Sequence, residues 1–282
     1  MKLPISAIVI GLNEGQLLRS CLPPLARCDE VLYFDLGSTD DSIAVASGFG
    51  ATVIEHPRVP CCEEIHARHA RNTKHEWVLI TDPDEVISDE LMAEVSALFA
   101  SGRLHSGIGA VQAPWAFYFG QRALRGTPWG GLNQRILLAH NQRFIFTASV
   151  HVGRTLKPGY DYLRIEAGNG RVIHHYWMQG YRQLLAKHLR YLEKEGAARY
   201  EQGQRTNPFQ LLIAPLRAFR HALVRRAGYR DGLLVLGLSL FWAWYQTAAE
   251  FALHQHQTSS GAKVETAEHN SSSSSWSMRP AT

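Results

Sequence analysis

The chain has 282 residues, 45% of them hydrophobic and 19% charged, which is enough apolar mass for one large or two small cored domains and excludes a disordered chain. Its net charge of +4 is mild but unevenly placed: from Arg182 to Arg230 eleven basic residues stand against three acidic ones, so an anionic neighbour is expected there, whether a membrane surface, a phosphorylated acceptor or nucleic acid. Cys21, Cys28, Cys61 and Cys62 form no CxxC pair and no secretory apolar region follows Met1, so the expected setting is reducing and cytoplasmic.

Residues 5 to 10, Ile-Ser-Ala-Ile-Val-Ile, make an apolar run of strand length, broken by Gly11-Leu12-Asn13-Glu14-Gly15 before a helical pattern through Leu17, Leu18, Cys21 and Leu22. The unit repeats as Glu30 to Asp35, a Gly-Ser-Thr-Asp loop, and a small-residue helix to Gly48, with a third strand at Ala51 to Glu55. Adjacent Cys61-Cys62 reads as small apolar groups at a helix start. Strands alternating with helices predict a parallel sheet covered on both faces, whose ligands bind beyond the carboxyl ends of the strands.

The fourth strand is Trp77 to Ile80, stopped by Thr81-Asp82-Pro83-Asp84-Glu85, where Pro83 has no N–H for a ladder. Asp82 and Asp84 lie two apart, so a turn at Pro83 lets both reach one hard divalent cation, which takes oxygen ligands and keeps substrate phosphates as partners. The plainer alternative is a polar turn ahead of a helix capped by Ser88. Asn13 and Glu14 after strand one, Asp35 to Asp40 after strand two and Asp82 to Glu85 after strand four would all open on one edge. Gly37 permits a tight turn there, and Ser38, Thr39 or Asp40 can cap the next helix, whose dipole favours phosphate.

The set Ile8-Val9-Ile10…Asn13-Glu14, Val31…Asp35-Leu36-Gly37-Ser38-Thr39-Asp40 and Trp77 to Glu85 resembles family-2 glycosyltransferases of the GT-A fold, which carry strand-NE, D-x-G-S-T-D and W-V-L-x-x-D-x-D-E in this order. The resemblance implies an α/β fold, a GT-A (Rossmann-like) mixed sheet flanked by helices. It also implies that Asp35 contacts the nucleotide base, and that Asn13 and Glu14, with Gly37 and Ser38, wall the nucleotide pocket. Asp82 and Asp84 would hold Mg²⁺ or Mn²⁺ on the diphosphate of a nucleotide-sugar donor, most simply a UDP-sugar. Arg68 stands near the family's Arg-Asn pair, with His69 replacing the Asn, and is carried over as a diphosphate contact.

Beyond Glu94 two strands are expected at Gly109 to Ala113 and Trp115 to Phe119, then a Gly-rich loop, Gly126 to Gly131, then a strand at Gln134 to Leu138. Trp129-Gly130-Gly131…Arg135-Ile136-Leu137 and Val150-His151 look like the W-x-x-D…R-L-F and V-H-E blocks of the branch with lipopolysaccharide-core β-glucosyltransferases. Trp129 either stacks on a sugar or packs. The departures matter: no Asp or Glu occurs between Val95 and Tyr160, so the acceptor-side carboxylate of those blocks is missing. An inverting transfer needs a base within reach of the acceptor hydroxyl. His151 is the candidate, with Glu85 and Asp161 as rivals and a structural histidine as the alternative. In related enzymes a histidine of the last strand, here Arg171 to Tyr176, approaches the metal or diphosphate. His174 or His175 fits, with His174 the expected metal ligand.

A helix follows from about Met178 to Gln202, and from Asn207 to Leu253 the chain is helical and apolar, interrupted at Arg225 to Gly232. Tyr229-Arg230-Asp231-Gly232 resembles the branch's D-G-x-x-G segment. Gly232 to Tyr245 is fourteen residues without a charge, short of the roughly 20 that span a bilayer. An interfacial helical hairpin is expected, with a buried helix or dimer interface as the alternative. After Gln257 the serine-rich tail is expected to be disordered.

The expected layout is therefore residues 1–105 for donor and metal, 106–176 for the acceptor side of the same domain, 177–256 as a helical, membrane-facing appendage and 257–282 as tail. The expected activity is inverting, metal-assisted transfer from a nucleotide sugar to a lipid-linked or lipopolysaccharide glycan acceptor. The expected place is the inner face of the cytoplasmic membrane, as a peripheral cell-envelope enzyme, with no nucleic-acid partner and no oligomeric state indicated. A catalytically silent sugar-nucleotide-binding protein and a nucleotidyltransferase are the alternatives.

Overall fold

The strand β1 (Leu3–Gly11) organises the sheet because its side chains alternate between two buried sides. Ile5, Ala7 and Val9 join one core cluster, and Ile8 and Ile10 join a second. The structure is a computed structural model that describes residues 2–148 and 155–273, with side chains as far as 259. It divides into a unit of Met1–Ala123 with Gly131–Trp177 and a unit of Leu124–Gly130 with Met178–Thr282.

In the first unit β1 leads into α1 (Gly15–Leu25), which buries Leu18, Cys21, Leu22 and Leu25 at helical spacing. Next come β2 (Cys28–Asp35), the short α2 (Ser42–Gly48), β3 (Thr52–Glu55), α3 (Glu63–His69), which begins directly after Cys61-Cys62, and β4 (Trp77–Ile80). These four strands are parallel in the order β3-β2-β1-β4, with Gly11 opposite Asp35 and Ile8 opposite Ile80. β5 (Glu85–Ile87) is followed by α4 (Asp89–Ala100), whose cap is the predicted one: Ser88 Oγ accepts from Leu91 N at 3.2 Å.

The acceptor-side half continues the same sheet rather than building another. β6 (Ile108–Phe119) runs unbroken through Pro114, where two strands were expected, with a bulge between Val111 and Gln112 absorbing the irregularity. β7 (Arg122–Ala123) pairs with the end of β6, and β8 (Leu132–His140) lies antiparallel between β4 and β6. β9 (Phe144–Ile145) and β10 (Thr155–Leu156) form a separate two-stranded ribbon. β11 (Asp161–Arg164) adds parallel to β6, and β12 (Ile173–Met178) pairs antiparallel with β5. The full path is β3-β2-β1-β4-β8-β6-β12-β5, a mixed sheet with its helices α1 and α4 against one core cluster and α3 against the other.

The second unit is helical: α5 (Tyr181–Glu201), α6 (Pro208–Arg220), a π-helical turn at His221–Arg225, a 3-10 turn at Gly228–Asp231 and α7 (Leu233–Ser273). Asn207 and Gln210 close a capping box at the start of α6. Two features depart from the sequence expectation. The loop Leu124–Gly130 groups with the helices and not with the acceptor side, because Asp231, buried, accepts from Arg125 N at 2.8 Å and Gly126 N at 2.7 Å. The backbone of α7 continues to Ser273, where no structure was expected from residue 257: once an apolar first half has nucleated a helix, each added residue contributes one more hydrogen bond.

Candidate active site

Three loops meet at the carboxyl end of the parallel strands. Asn13 takes a left-handed conformation, φ 58°, which brings its Oδ1 under the second loop to accept from Thr39 N at 2.7 Å and Asp40 N at 3.3 Å. In return Asn13 N donates to Ser38 Oγ, Glu14 N to Ser42 Oγ, both at 2.9 Å, and Gly15 N to Asp40 Oδ2 at 3.1 Å. Asp35, 1% exposed, closes the second loop on itself: its Oδ2 accepts from Gly37 N and Ser38 N, each at 2.9 Å, a turn that Gly37 completes at φ 89°. Asp35 and the Asp82 turn flank β1 on its two neighbours, so they stand about two strand spacings apart, roughly 10 Å. All three acidic loops therefore open on one rim, as the sequence predicts.

At the end of β4 the carboxylates are held by Arg135, His175 and Trp115. Asp82 Oδ2 meets Arg135 Nη2 at 3.0 Å, and the same guanidinium pairs through Nη1 with Glu85. Burial alone would raise the Asp82 carboxyl, but Arg135, with His66 and His175 nearby, outweighs it and holds the group below the usual carboxylate value. Asp84 Oδ2 lies 3.1 Å from His175 Nε2. The indole of Trp115 ties these together. Its Nε1 donates to Glu85 Oε1 at 2.9 Å, its plane stacks on His175 at 4.9 Å, and the Arg135 guanidinium lies 5.2 Å from its ring centre. Arg135 and Trp115 face each other because Ala113 pairs with Arg135 and Trp115 with Asn133 across β6 and β8. The R-I-L block carried a signal for Arg135; nothing in the sequence marked Trp115.

Several predicted site residues go elsewhere. Glu85, 1% exposed, accepts from Thr81 Oγ1, Asp82 N and Trp115 Nε1 and pairs with Arg135, so its lone pairs are committed and it holds the turn in place of acting as a base. His174 is not the histidine of the carboxylate pair. Strand alternation sends it to the other side of β12, where Nδ1 and the Tyr118 hydroxyl are 2.8 Å apart, and His175 takes the place at Asp84. Trp129 belongs to the helical unit and packs against His188, Phe241 and Trp242, so the packing alternative is the one observed. Arg68 extends from α3 to Glu64, 2.9 Å away, and it is Arg135 that stands at Asp82. Asp161, opposite Ile108, starts β11 at the far end of β6 from Trp115, seven residues or roughly 20 Å away. His151 and Val150 lie outside the described residues.

The donor set suits a hard divalent cation. Among the described residues no three His, Cys, Asp or Glu side chains form a cage. Mg²⁺-type sites use one or two carboxylates and leave the remaining positions to substrate phosphate and water. Asp82 and Asp84 are the two carboxylates of this turn that would fit such a site, Asp82 paired with Arg135 and Asp84 with His175.

No family model matches the chain. An uncharacterized glycosyltransferase of Rickettsia felis is 34% identical over 98 residues, 34% of each chain, so this match spans about a third of that relative's length. The lipopolysaccharide core biosynthesis glycosyltransferase LpsC of Rhizobium meliloti is 26% identical over 249 residues, 85% of this chain and 86% of that one. Among solved structures, glucosyl-3-phosphoglycerate synthase of Mycobacterium tuberculosis with Mn²⁺, UDP-glucose and phosphoglyceric acid covers 50% of this chain and 57% of its own, at 20% identity and a TM-score of 0.36. Over most of its length the chain is similar to proteins named glycosyltransferases, and its described sheet is mixed, with the parallel strands β3-β2-β1-β4 continued by antiparallel β8 and β6.

Proposed function

We propose that the protein moves a sugar, with inversion, from a nucleotide-sugar donor, a UDP-sugar, to a lipid-linked or lipopolysaccharide-type glycan acceptor at the inner face of the cytoplasmic membrane. The observation that carries this reading is the single rim on which the stitched Asn13 and Asp35 loops and the Asp82/Asp84 pair open. The acceptor class draws support from the name of the Rhizobium meliloti relative.

The loop closed by Asp35, Gly37 and Ser38 would wall the nucleoside, and Asn13 fixes its height by holding Thr39 and Asp40. Asp82 and Asp84 would hold Mg²⁺ or Mn²⁺, which when bound supplies charge neutralisation for a departing diphosphate. Arg135 keeps Asp82 ionised and in place, and Glu85 with Trp115 keeps Arg135 in place. Arg68, more than half exposed, retains the freedom to swing from Glu64 to a phosphate. The base role stays with His151, since Glu85 is committed to the turn and Asp161 is at the far end of β6. Binding without turnover is the competing reading, favoured by that commitment of Glu85.

The test is a thermal-stability screen of nucleotide sugars with and without Mg²⁺ or Mn²⁺, followed by transfer assays. A donor at a hundred times its Kd should add about 2.7 kcal/mol, with a cation-dependent part. Asp84→Ala should remove that part and lower transfer at least about a hundredfold while the unliganded protein melts as before. Unchanged turnover in the variant would remove the metal assignment, and cation-dependent binding with no turnover on any acceptor would leave the silent reading.

A further inference from the structure

Helix α6 carries its apolar residues on the outside. Phe209, Leu212 and Leu216, at i, i+3 and i+7, form one stripe, and Leu212 and Leu216 are 78% and 72% exposed. Arg220 continues the stripe one turn on, and Val224, also exposed, follows in the π-helical turn. The first half of α7 has a second such stripe, Leu233, Leu236, Leu240, Trp244 and Phe251, with Leu233 at 85%. The two stripes border a groove of about 690 Å³ between α6 and α7, from Leu212 and Pro215 on one side to Trp244 and Phe251 on the other, with Thr247 its one polar lining side chain. An exposed apolar surface of this continuity marks an interaction site.

The charge around it selects the occupant. From α6 to the 3-10 turn the basic residues are Arg217, Arg220, Arg225, Arg226 and Arg230, and the one acid of that stretch, Asp231, is buried on the Arg125 and Gly126 amides. Glu250 faces Arg199 and Arg217, which leaves Arg220, Arg225, Arg226 and Arg230 without an acidic side chain within 4 Å among the described residues. A second copy docked face to face about a two-fold axis would set this cationic cluster against itself. An anionic lipid surface satisfies both halves at once: headgroup phosphates take the arginines, and the acyl boundary takes the leucines with Trp244. Among the described residues no helix is long and apolar enough to cross a membrane, so the contact lies in the plane of the interface.

We propose that the outer face of α6 and the first half of α7 is a seat for an anionic membrane surface, entered by Leu212, Leu216, Leu233, Leu240 and Trp244 and bordered by Arg220, Arg225 and Arg226. It gives the peripheral placement a defined surface, and it stands whether or not the sheet unit transfers sugar.

The test is flotation of the full chain with vesicles of phosphatidylcholine alone and with phosphatidylglycerol added. Binding should favour the anionic vesicles at least about tenfold and weaken with salt. Leu212→Ser with Leu216→Ser should abolish flotation on both, and Arg225→Glu with Arg226→Glu should remove the anionic preference; each variant should keep the wild-type melting temperature, since these residues are exposed. Flotation unchanged by either pair, or no flotation of the wild type, would overturn the proposal. So would a wild-type dimer in solution that Leu212→Ser with Leu216→Ser converts to monomer, which would give the face to a second copy.

Discussion

Leu79 in β4 and Leu212 in α6 are the same residue in opposite situations: one is fully buried between β1 and β8, the other stands 78% in the open. Around Leu79 the chain resolves its own hydrophobic demand, with strands alternating into two core clusters and the polar loops at the rim hydrogen-bonded to one another. Around Leu212 it does not, and apolar residues at helical spacing face outward near Arg220, Arg225 and Arg226, which have no acidic side chain within 4 Å among the described residues. The sheet unit thus buries its apolar runs within itself, whereas the outer face of the helical unit leaves an apolar stripe exposed. Residue type alone does not separate the two cases; what separates them is which face of each element carries the apolar stripe and what charge borders it.

The comparison breaks most sharply at Glu85. Replacing this buried carboxylate with alanine leaves the mostly buried Arg135 guanidinium with Asp82 alone and frees the Trp115 N–H, so Glu85→Ala should cost about 3–5 kcal/mol in denaturant unfolding of the sheet unit. Glu85→Ala at wild-type stability would mean that the turn is held by something else. Next in size, Leu79→Ala should cost about 2–5 kcal/mol, while Leu212→Ala should stay within about 0.5 kcal/mol in detergent-free buffer. Equal costs would erase the distinction between the two regions.

The smallest effect is a pH dependence common to both. Burial, first among the causes, holds the imidazoles of His140 in β8 and His188 in α5 below the usual 6.5. His188 is neutral with Nδ1–H donating to the Leu184 carbonyl at 2.8 Å. As pH falls below 6.5 the unfolded chain takes up these protons before the folded one, so stability present at neutral pH is lost as pH drops through the folded values. Melting temperature should therefore fall from pH 7 to pH 5, and His188→Phe should flatten the helical unit's share of that slope.

Much of this was legible beforehand where one signal had one physical meaning. Continuous apolar runs placed β1, β2 and β4, the Ser88 cap placed α4, and Pro83 placed the turn that carries Asp82 and Asp84. The rest turned on facts that sequence order does not contain. His174 and His175 are one residue apart, and only the pairing of His175 with Glu85 across β12 and β5 decides which one meets Asp84. Trp115 and Arg135 are twenty residues apart and become neighbours through the register of β6 and β8. Trp129 could stack on a sugar or pack, and only the grouping of its loop with α5 and α7 decides for packing.

The carboxylate of Asp231 grips two backbone amides more than a hundred positions earlier in the chain. Deuterium should therefore enter at Arg125 and Gly126 no faster than the helical bundle itself comes apart, although the segment holding them has no regular structure. These two amides, followed in solvent exchange, are a built-in gauge of how firmly that bundle stays closed.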